Sequence, residues 1–182
     1  MKDWLFYPLF ALIAGSMIFF AWSRGEAPAP ISAAQGFELK GPDLQRLTAA
    51  PGTTLSFAGD YSYAILSADF TSDVQKSAGV FVLLDSRYSE VLAGKDLKIT
   101  IRARAGSDKP SERFMITFLP HTTGKIRWQT FEPTQEFQDY SVTTTLGPYL
   151  KDLPEIYFGV WPDKDGRGGT LEVAKYEIKV VR

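Results

Sequence analysis

LKITIRAR, residues 97–104, decides the fold class, because apolar and polar side chains alternate along it without a break. A period of two is typical of a strand with one face in a core and the other in water. The same alternation recurs in four further segments, at residues 114–118, 140–146, 156–160 and 171–180. Val80 to Leu84 are continuously apolar, which is typical of a central strand. In the last segment the apolar face changes near Ala174, which predicts a bulge there.

Turn-forming residues separate these segments, and no segment after residue 36 repeats its apolar residues at helical spacing. The clearest turn signals are Pro51-Gly52, Gly94-Lys95 and Pro162 to Gly169. Many short strands joined by polar turns predict an all-β fold. We expect a jelly-roll β-sandwich that occupies residues 37–182.

Composition excludes several classes of function. The chain has 182 residues with 20 basic and 21 acidic side chains, which gives a formal net charge of −1. This balance gives no electrostatic case for binding nucleic acid, which usually requires a basic surface. Because the chain has no cysteine, disulfide bonds and thiolate metal sites are excluded.

Catalysis has little support in the sequence. His121 is the single histidine, and it lies in a predicted hairpin turn. A Ser-His-Asp site would need it as the base, and no Gly-x-Ser-x-Gly segment supplies a nucleophile. A pair of catalytic carboxylates stays open, because a sequence does not show which carboxylates face each other. We predict a protein that is not an enzyme and that has no cofactor, apart from a structural calcium ion considered below.

Residues 1–24 are predicted to form a transmembrane anchor. No side chain from Trp4 to Trp22 is charged. At about 1.5 Å per residue this stretch matches the thickness of a bilayer's hydrocarbon core. Aromatic residues stand at both ends, as in the interfacial belts of spanning helices. The alternative is a cleaved signal peptide, but the apolar run is long and ends in bulky residues, which make a poor cleavage site.

Residues 25–36 contain alternating Ala and Pro, which predicts an extended linker between the anchor and the β domain. Ala11, Gly15 and Ser16 place small residues on the anchor helix, where another helix could pack closely. Lys2 favours a cytoplasmic amino terminus. These features predict a single-pass protein of the inner membrane, with the lipid bilayer as a partner and the β domain in the periplasm.

The strand edges of the β domain resemble those of a known family. Gly94 to Arg104 follows a Gly-x-x-Leu-x-Ile-x-Ile-x-Ala-Arg course, and Phe131-Glu132 precedes Phe137-Gln138-Asp139-Tyr140-Ser141. A glycine-rich turn and a terminal strand follow over residues 166–181. From about residue 52 onward the chain resembles jelly-roll carbohydrate-binding modules of the galactose-binding-like fold. The resemblance implies a β-sandwich, frequent sugar binding and often a structural calcium ion.

Large aromatic side chains supply the candidate ligand site, because the apolar faces of sugars can stack on exposed rings. The candidate binding residues are Trp128 with its neighbour Arg127, Trp161, Tyr61 and Tyr63. The alternative is that the tryptophans fill the core of the sandwich, which is the commoner fate of large aromatic side chains.

Asp163 and Asp165 are the candidate calcium ligands. They lie in Asp-Lys-Asp-Gly-Arg-Gly-Gly, residues 163–169, and hard cations prefer several oxygen ligands held close together. The alternative is a solvated hairpin tip, because Asp and Gly also form turns.

Basic residues suggest a further surface. Lys98, Arg102 and Arg104, with Lys125 and Arg127, would form a row of positive charge on one face of the sheet. Anionic lipid headgroups or an acidic partner would suit such a row. The alternative is the ordinary solvated face of a sheet.

Two functional hypotheses remain. The first is a non-catalytic, membrane-anchored accessory subunit, whose β-sandwich braces a membrane protein complex outside the cytoplasm. It rests on the single small module and on the small residues of the anchor. The alternative is a membrane-tethered module that binds carbohydrate or another component of the cell envelope, and it rests on the family resemblance.

Overall fold

A computed structural model describes residues 36–70, 78–120, 128–145, 147 and 155–181, with the backbone alone at residues 119–120. The predicted anchor, the linker up to residue 35, His121, Lys125 and Arg127 lie outside the described residues. Within the described residues, no helix is both long enough and apolar enough to cross a membrane. The anchor and its helix-packing residues therefore stay predictions.

The described chain consists mainly of β-strands. In chain order its elements are β1 (Phe37–Lys40), a 3-10 helix (Gly41–Arg46), β2 (Thr48–Ala49), β3 (Thr53–Phe57), β4 (Ala64–Ala68), β5 (Val80–Asp85), α1 (Ser86–Leu92), β6 (Asp96–Ala105), β7 (Phe114–Pro120), β8 (Gln129–Phe131), β9 (Gln138–Thr145), β10 (Glu155–Trp161) and β11 (Thr170–Val180). Asp85 caps the amino end of α1, because its carboxylate accepts the backbone N–H of Arg87 at 3.0 Å. Its 7 residues are too few to show a helical repeat, so the sequence did not predict it.

The strands form two antiparallel sheets. Among the described residues, sheet A has the order β3-β4-β11-β6-β9, with β1 also paired to β11, and sheet B has the order β2-β5-β10-β7-β8. The register of β11 on β6 shifts between Val173 and Lys175. This shift confirms the bulge predicted near Ala174. It keeps the apolar residues on both sides of the bulge in the core.

A hydrophobic core fills the space between the sheets. β6 contributes Leu97, Ile99, Ile101 and Ala103, which are fully buried as the alternation predicts. Sheet B contributes alternate apolar residues of β5, β7 and β10. The predicted all-β sandwich is confirmed. The outward-facing residues of each sheet are the ones available for contact with ligands or solvent.

Candidate binding surfaces

The outer face of sheet B carries an aromatic patch on the neighbouring strands β5 and β10. The even-numbered residues of both strands are buried, so their odd-numbered residues point away from the main core. The register places Leu83 opposite Tyr157, and Asp85 opposite Glu155. We call the surface formed by Phe81, Leu83, Asp85, Glu155 and Tyr157 the β5–β10 face.

Phe81 and Tyr157 form a ring pair on the β5–β10 face. Their ring centroids lie 5.3 Å apart, and the ring planes are inclined at 59°. Leu83 is 37% exposed. Gly159 lies opposite Phe81 in the register and adds no side chain there. The face therefore presents apolar carbon surface that a ligand can cover.

Tyr157 also brings a hydrogen-bonding group to this face. Its hydroxyl group donates to Oε2 of Glu155 at 3.3 Å. Burial raises the pKa of Tyr157, and the negative charge and hydrogen bond of Glu155 raise it further. The phenol group therefore keeps its proton at neutral pH.

A charged pair borders the β5–β10 face. The carboxylate of Asp85 binds the guanidinium group of Arg87 at 2.6 Å, and both side chains are nearly half exposed. The side-chain hydrogen bond from Arg87 lowers the pKa of Asp85. Since Arg87 already binds both oxygens of Asp85, Glu155 provides the carboxylate that can accept hydrogen bonds from a ligand beside the rings.

This arrangement suits non-covalent binding of a sugar. Rings cover the apolar C–H faces of a sugar, while carboxylates and a phenol bind its hydroxyl groups. Within the described part of the chain, no group of three or more His, Cys, Asp or Glu residues could hold a metal ion.

Trp161 lies on the outer side of sheet B but is fully buried. Its indole N–H donates to the backbone oxygen of Phe70 at 3.1 Å. It packs with Ala68 and Met115 in a small second core. Packing from neighbouring segments covers the Trp161 ring, so Trp161 fills a small core outside sheet B rather than the core between the sheets.

The backbone at residues 78–79 lies close over β10. A Cβ atom at Gly159 would come 2.1 Å from the oxygen of Ala78, and a Cβ atom at Gly79 would come 2.4 Å from the oxygen of Val160. Both distances are far below contact range, so glycine is required at both positions. This close approach helps to bury Trp161, since a Cβ atom at Gly79 would also lie 3.1 Å from its ring.

Trp128 is partly exposed and packs against Trp161. The two indole rings meet edge to face, with centroids 6.2 Å apart and an interplanar angle of 77°. Trp128 thus supports the small second core and leaves part of its ring accessible. Its predicted partner Arg127 lies outside the described residues.

Tyr61 and Tyr63 lie apart from the tryptophans, in the turn between β3 and β4 of sheet A. Tyr61 is 39% exposed and packs against Phe57, with ring centroids 6.0 Å apart. Tyr63 packs against Phe137 at 5.8 Å. The predicted platform is therefore divided between the two sheets.

The loop of residues 163–169 is organised around Asp163. This carboxylate is buried and accepts three backbone N–H groups, those of Asp165 at 3.1 Å, Arg167 at 2.9 Å and Gly169 at 2.7 Å. Asp165 instead binds Arg113 at 2.7 and 2.9 Å, and this hydrogen bonding lowers the pKa of Asp165. Calcium binding here stays a prediction, and these contacts do not favour it because protein donors already bind both carboxylates.

Sequence reasoning missed Phe81, Leu83 and Tyr157. The run from Val80 to Leu84 is apolar on both faces, so its alternation cannot be read from residue types. A usable signal lies in β10, where Glu155 and Gly159 flank Tyr157 at outward positions. A charged residue and a glycine at these alternate positions indicate that this side of β10 faces away from the main core.

Comparisons with known proteins establish the fold. No family model matches the chain, and no curated protein matches it in sequence. Among solved structures, the xylan-binding CBM22-1 domain of Xyn10C from Paenibacillus barcinonensis is similar, with a TM-score of 0.54 and 10% identity over 80% of this chain and 94% of that one.

Two further solved structures are similar. The C-terminal family 22 carbohydrate-binding module of Xyn10B from Clostridium thermocellum has a TM-score of 0.53 and 14% identity, over 83% of this chain and 96% of that one. The second N-terminal cellulose-binding domain of β-1,4-glucanase C from Cellulomonas fimi has a TM-score of 0.50 and 11% identity, over 86% and 98%. Identities this low bear on the fold alone. The structure therefore shares the jelly-roll β-sandwich fold of carbohydrate-binding modules, which confirms the resemblance seen in the strand edges.

Proposed function

We propose that the β domain is a non-catalytic carbohydrate-binding module and that its β5–β10 face binds a neutral glycan chain. The observation that carries this proposal is the ring pair of Phe81 and Tyr157 beside the carboxylates of Asp85 and Glu155. The similar solved structures support the class of ligand, since two of them are named for binding xylan and cellulose. Fold likeness alone would not identify a ligand.

Binding at this face combines two interactions. The apolar face of a sugar ring covers Phe81 and Leu83, which removes carbon surface from water. The Tyr157 hydroxyl group and the Glu155 carboxylate, already in contact at 3.3 Å, exchange hydrogen bonds with sugar hydroxyl groups. A neutral glycan is favoured because the Glu155 carboxylate would repel an acidic one, whereas Arg87 already neutralises the charge of Asp85.

The predicted anchor would tether this module to a membrane. The tethering and the accessory-subunit hypothesis both depend on residues 1–35. These residues lie outside the described part of the chain. The described residues favour glycan binding over bracing of a complex, because the contacts of the β5–β10 face suit a sugar. Of the two hypotheses, carbohydrate binding is therefore the better supported by the described residues.

Isothermal titration of the full chain with xylan and cello-oligosaccharides tests the proposal. Phe81→Ala is expected to weaken binding about tenfold, since one stacked ring contributes on the order of 1 kcal/mol. Tyr157→Phe, which keeps the ring and removes the hydroxyl group, is expected to weaken binding by a smaller factor.

Val181→Ala is the matched control, because Val181 is 55% exposed and follows β11 in sheet A. It should leave both binding and unfolding unchanged. The proposal fails if the chain binds none of these glycans, or if Phe81→Ala and Val181→Ala bind them equally well.

A further inference from the structure

An exposed ring lies beyond the β5–β10 face, at the Trp161 end of β10. Phe70 is 50% exposed, and its backbone oxygen accepts the indole N–H of Trp161 at 3.1 Å. Because Trp161 lies on the outer side of sheet B, this hydrogen bond places Phe70 on the same side of the sandwich as Tyr157. At about 3.3 Å per residue, the stretch of β10 from Tyr157 to Trp161 spans about 13 Å. A ligand that reaches both exposed rings must therefore extend along β10.

The backbone that carries Phe70 is fixed by hydrogen bonds to three other segments. The N–H of Asp69 donates to the oxygen of Gly52 at 3.1 Å, and the oxygen of Ala68 accepts the N–H of Gly168 at 2.9 Å. The indole N–H described above is the third donor. A ring on a fixed backbone loses little conformational freedom when a ligand covers it.

Two unpaired charges lie beside this segment. Oδ1 of Asp69, the residue before Phe70, lies 3.2 Å from the point that a Cβ atom at Gly168 would occupy, and Nζ of Lys109 lies 3.1 Å from the same point. The two groups therefore border one small gap, which Gly168 leaves open. They form no ion pair with each other or with another residue that the structure describes. We call Asp69, Phe70, Lys109 and Gly168 the Phe70 site.

Lys109 adopts a strained conformation at this gap. Its φ is +49°, in the left-handed region that is costly for a long side chain, and Pro110 follows it. Its backbone oxygen accepts the N–H of Thr170 at 2.7 Å, which fixes the loop. Glycine would fit this position with less strain. Strained residues cluster at ligand sites, and here the strained residue carries the ammonium group that reaches Gly168.

The Phe70 site suits a neutral sugar. Its ring can cover the apolar C–H face of a sugar, while the Asp69 carboxylate accepts a hydrogen bond from one hydroxyl group and the Lys109 ammonium group donates to another. The two opposite charges cancel, so the site has no net attraction for an anion or a cation. A ring next to polar groups is also the combination found on the β5–β10 face.

We propose that the Phe70 site is a second subsite for the same glycan chain, which runs along β10 from Tyr157 to Phe70. The inference rests on the proposed function of the β5–β10 face. Between the two sites the backbone crosses β10, since a Cβ atom at Gly159 would lie 2.1 Å from the oxygen of Ala78. The glycan passes over this crossing, so only a chain of several sugar units reaches both sites. The module therefore selects long chains over short ones.

Isothermal titration of the full chain with xylobiose and xylohexaose, and with the matching cello-oligosaccharides, tests this subsite. The unmodified protein is expected to bind the hexaose more tightly, because only the longer chain spans both sites. Phe70→Ala keeps the backbone oxygen that accepts the Trp161 N–H, so it retains the fold. It should weaken binding of the hexaose about tenfold, as expected for one stacked ring, and leave binding of the disaccharide unchanged.

Lys109→Gly removes the ammonium group and relieves the positive φ. It should weaken binding of the hexaose by a smaller factor without lowering the melting temperature. Phe70→Tyr is the matched control, because it keeps the ring, and it should bind both lengths as the unmodified protein does.

Two results would overturn the subsite. One is hexaose binding that Phe70→Ala leaves unchanged. The other is an equal loss for both lengths, which would mean that Phe70 acts only through the fold. If Phe81→Ala weakens binding of both lengths in these same titrations, the proposed function stands whether or not the Phe70 site does. Absence of binding in both series would refute the proposed function and the subsite together.

Discussion

Tyr176 carries a hydroxyl group with no hydrogen-bond partner among the described residues, although its side chain is fully buried. Its ring packs edge to face on Phe158, with centroids 5.1 Å apart. Burial raises the pKa of Tyr176 far above its ordinary value, so the group stays neutral at any ordinary pH. An unsatisfied buried hydroxyl group costs about 1–3 kcal/mol of stability.

Tyr176→Phe is therefore expected to stabilise the domain. The ring contact with Phe158 remains, and the unpaired hydroxyl group is removed. We expect the free energy of unfolding in urea to rise by about 1 kcal/mol. Tyr157→Phe is the control, because its hydroxyl group is hydrogen-bonded and its removal should give no gain. A loss of stability in Tyr176→Phe would mean that its hydroxyl group has a partner.

At the scale of single elements, the loop between β10 and β11 depends on one side chain. Asp163 accepts three backbone N–H groups and is only 4% exposed. We expect Asp163→Ala to lower the free energy of unfolding by roughly 2–3 kcal/mol, because three backbone donors, one buried and two part-buried, lose their acceptor. Asp165→Asn is the control. It breaks a solvent-screened ion pair with Arg113 and should cost much less than Asp163→Ala.

Chemical unfolding of both variants, with and without calcium, measures these effects. Equal losses from Asp163→Ala and Asp165→Asn would contradict the central role of Asp163. A rise in the melting temperature on adding calcium, abolished in both variants, would instead support the calcium site predicted from the sequence.

Strands with one apolar face could be predicted from the sequence. The alternation in β6 and the bulge near Ala174 are both present, because each depends on local side-chain periodicity. The outward orientation of Phe81 could not be predicted, since β5 is apolar on both faces. The contact between Tyr63 and Arg104 could not be predicted either, because it depends on which strands become neighbours in the folded sheet.

At the scale of the whole molecule, ionised carboxylates make folding sensitive to acid. Asp85, Asp165 and Glu172 have pKa values below their ordinary range. Hydrogen bonds from Arg87 and Arg113 lower the pKa values of Asp85 and Asp165, respectively. In Glu172, hydrogen bonds from Ser107 and Arg104 outweigh the opposing effect of burial.

A folded-state pKa that is lowered contributes stability above the unfolded-state pKa, and this contribution disappears as the pH falls through the folded-state value. We therefore expect the free energy of unfolding to stay level from about pH 7 to 5 and to fall below about pH 4.5. Urea unfolding at a series of pH values from 7 down to 3 measures this free energy. Asp165→Asn should show a shallower decline, and a stability that does not change down to pH 3 would refute the argument.

The buried indole of Trp161 gives the molecule two hydrophobic compartments, one between the sheets and one outside sheet B. A fluctuation that lifts Ala78 and Gly79 away from β10 would wet Trp161 and leave the interior between the sheets dry. Tryptophan emission and the circular dichroism of the strands then need not change together as denaturant rises. An early optical transition in this domain would report the opening of its outer compartment, while the sandwich itself remains intact.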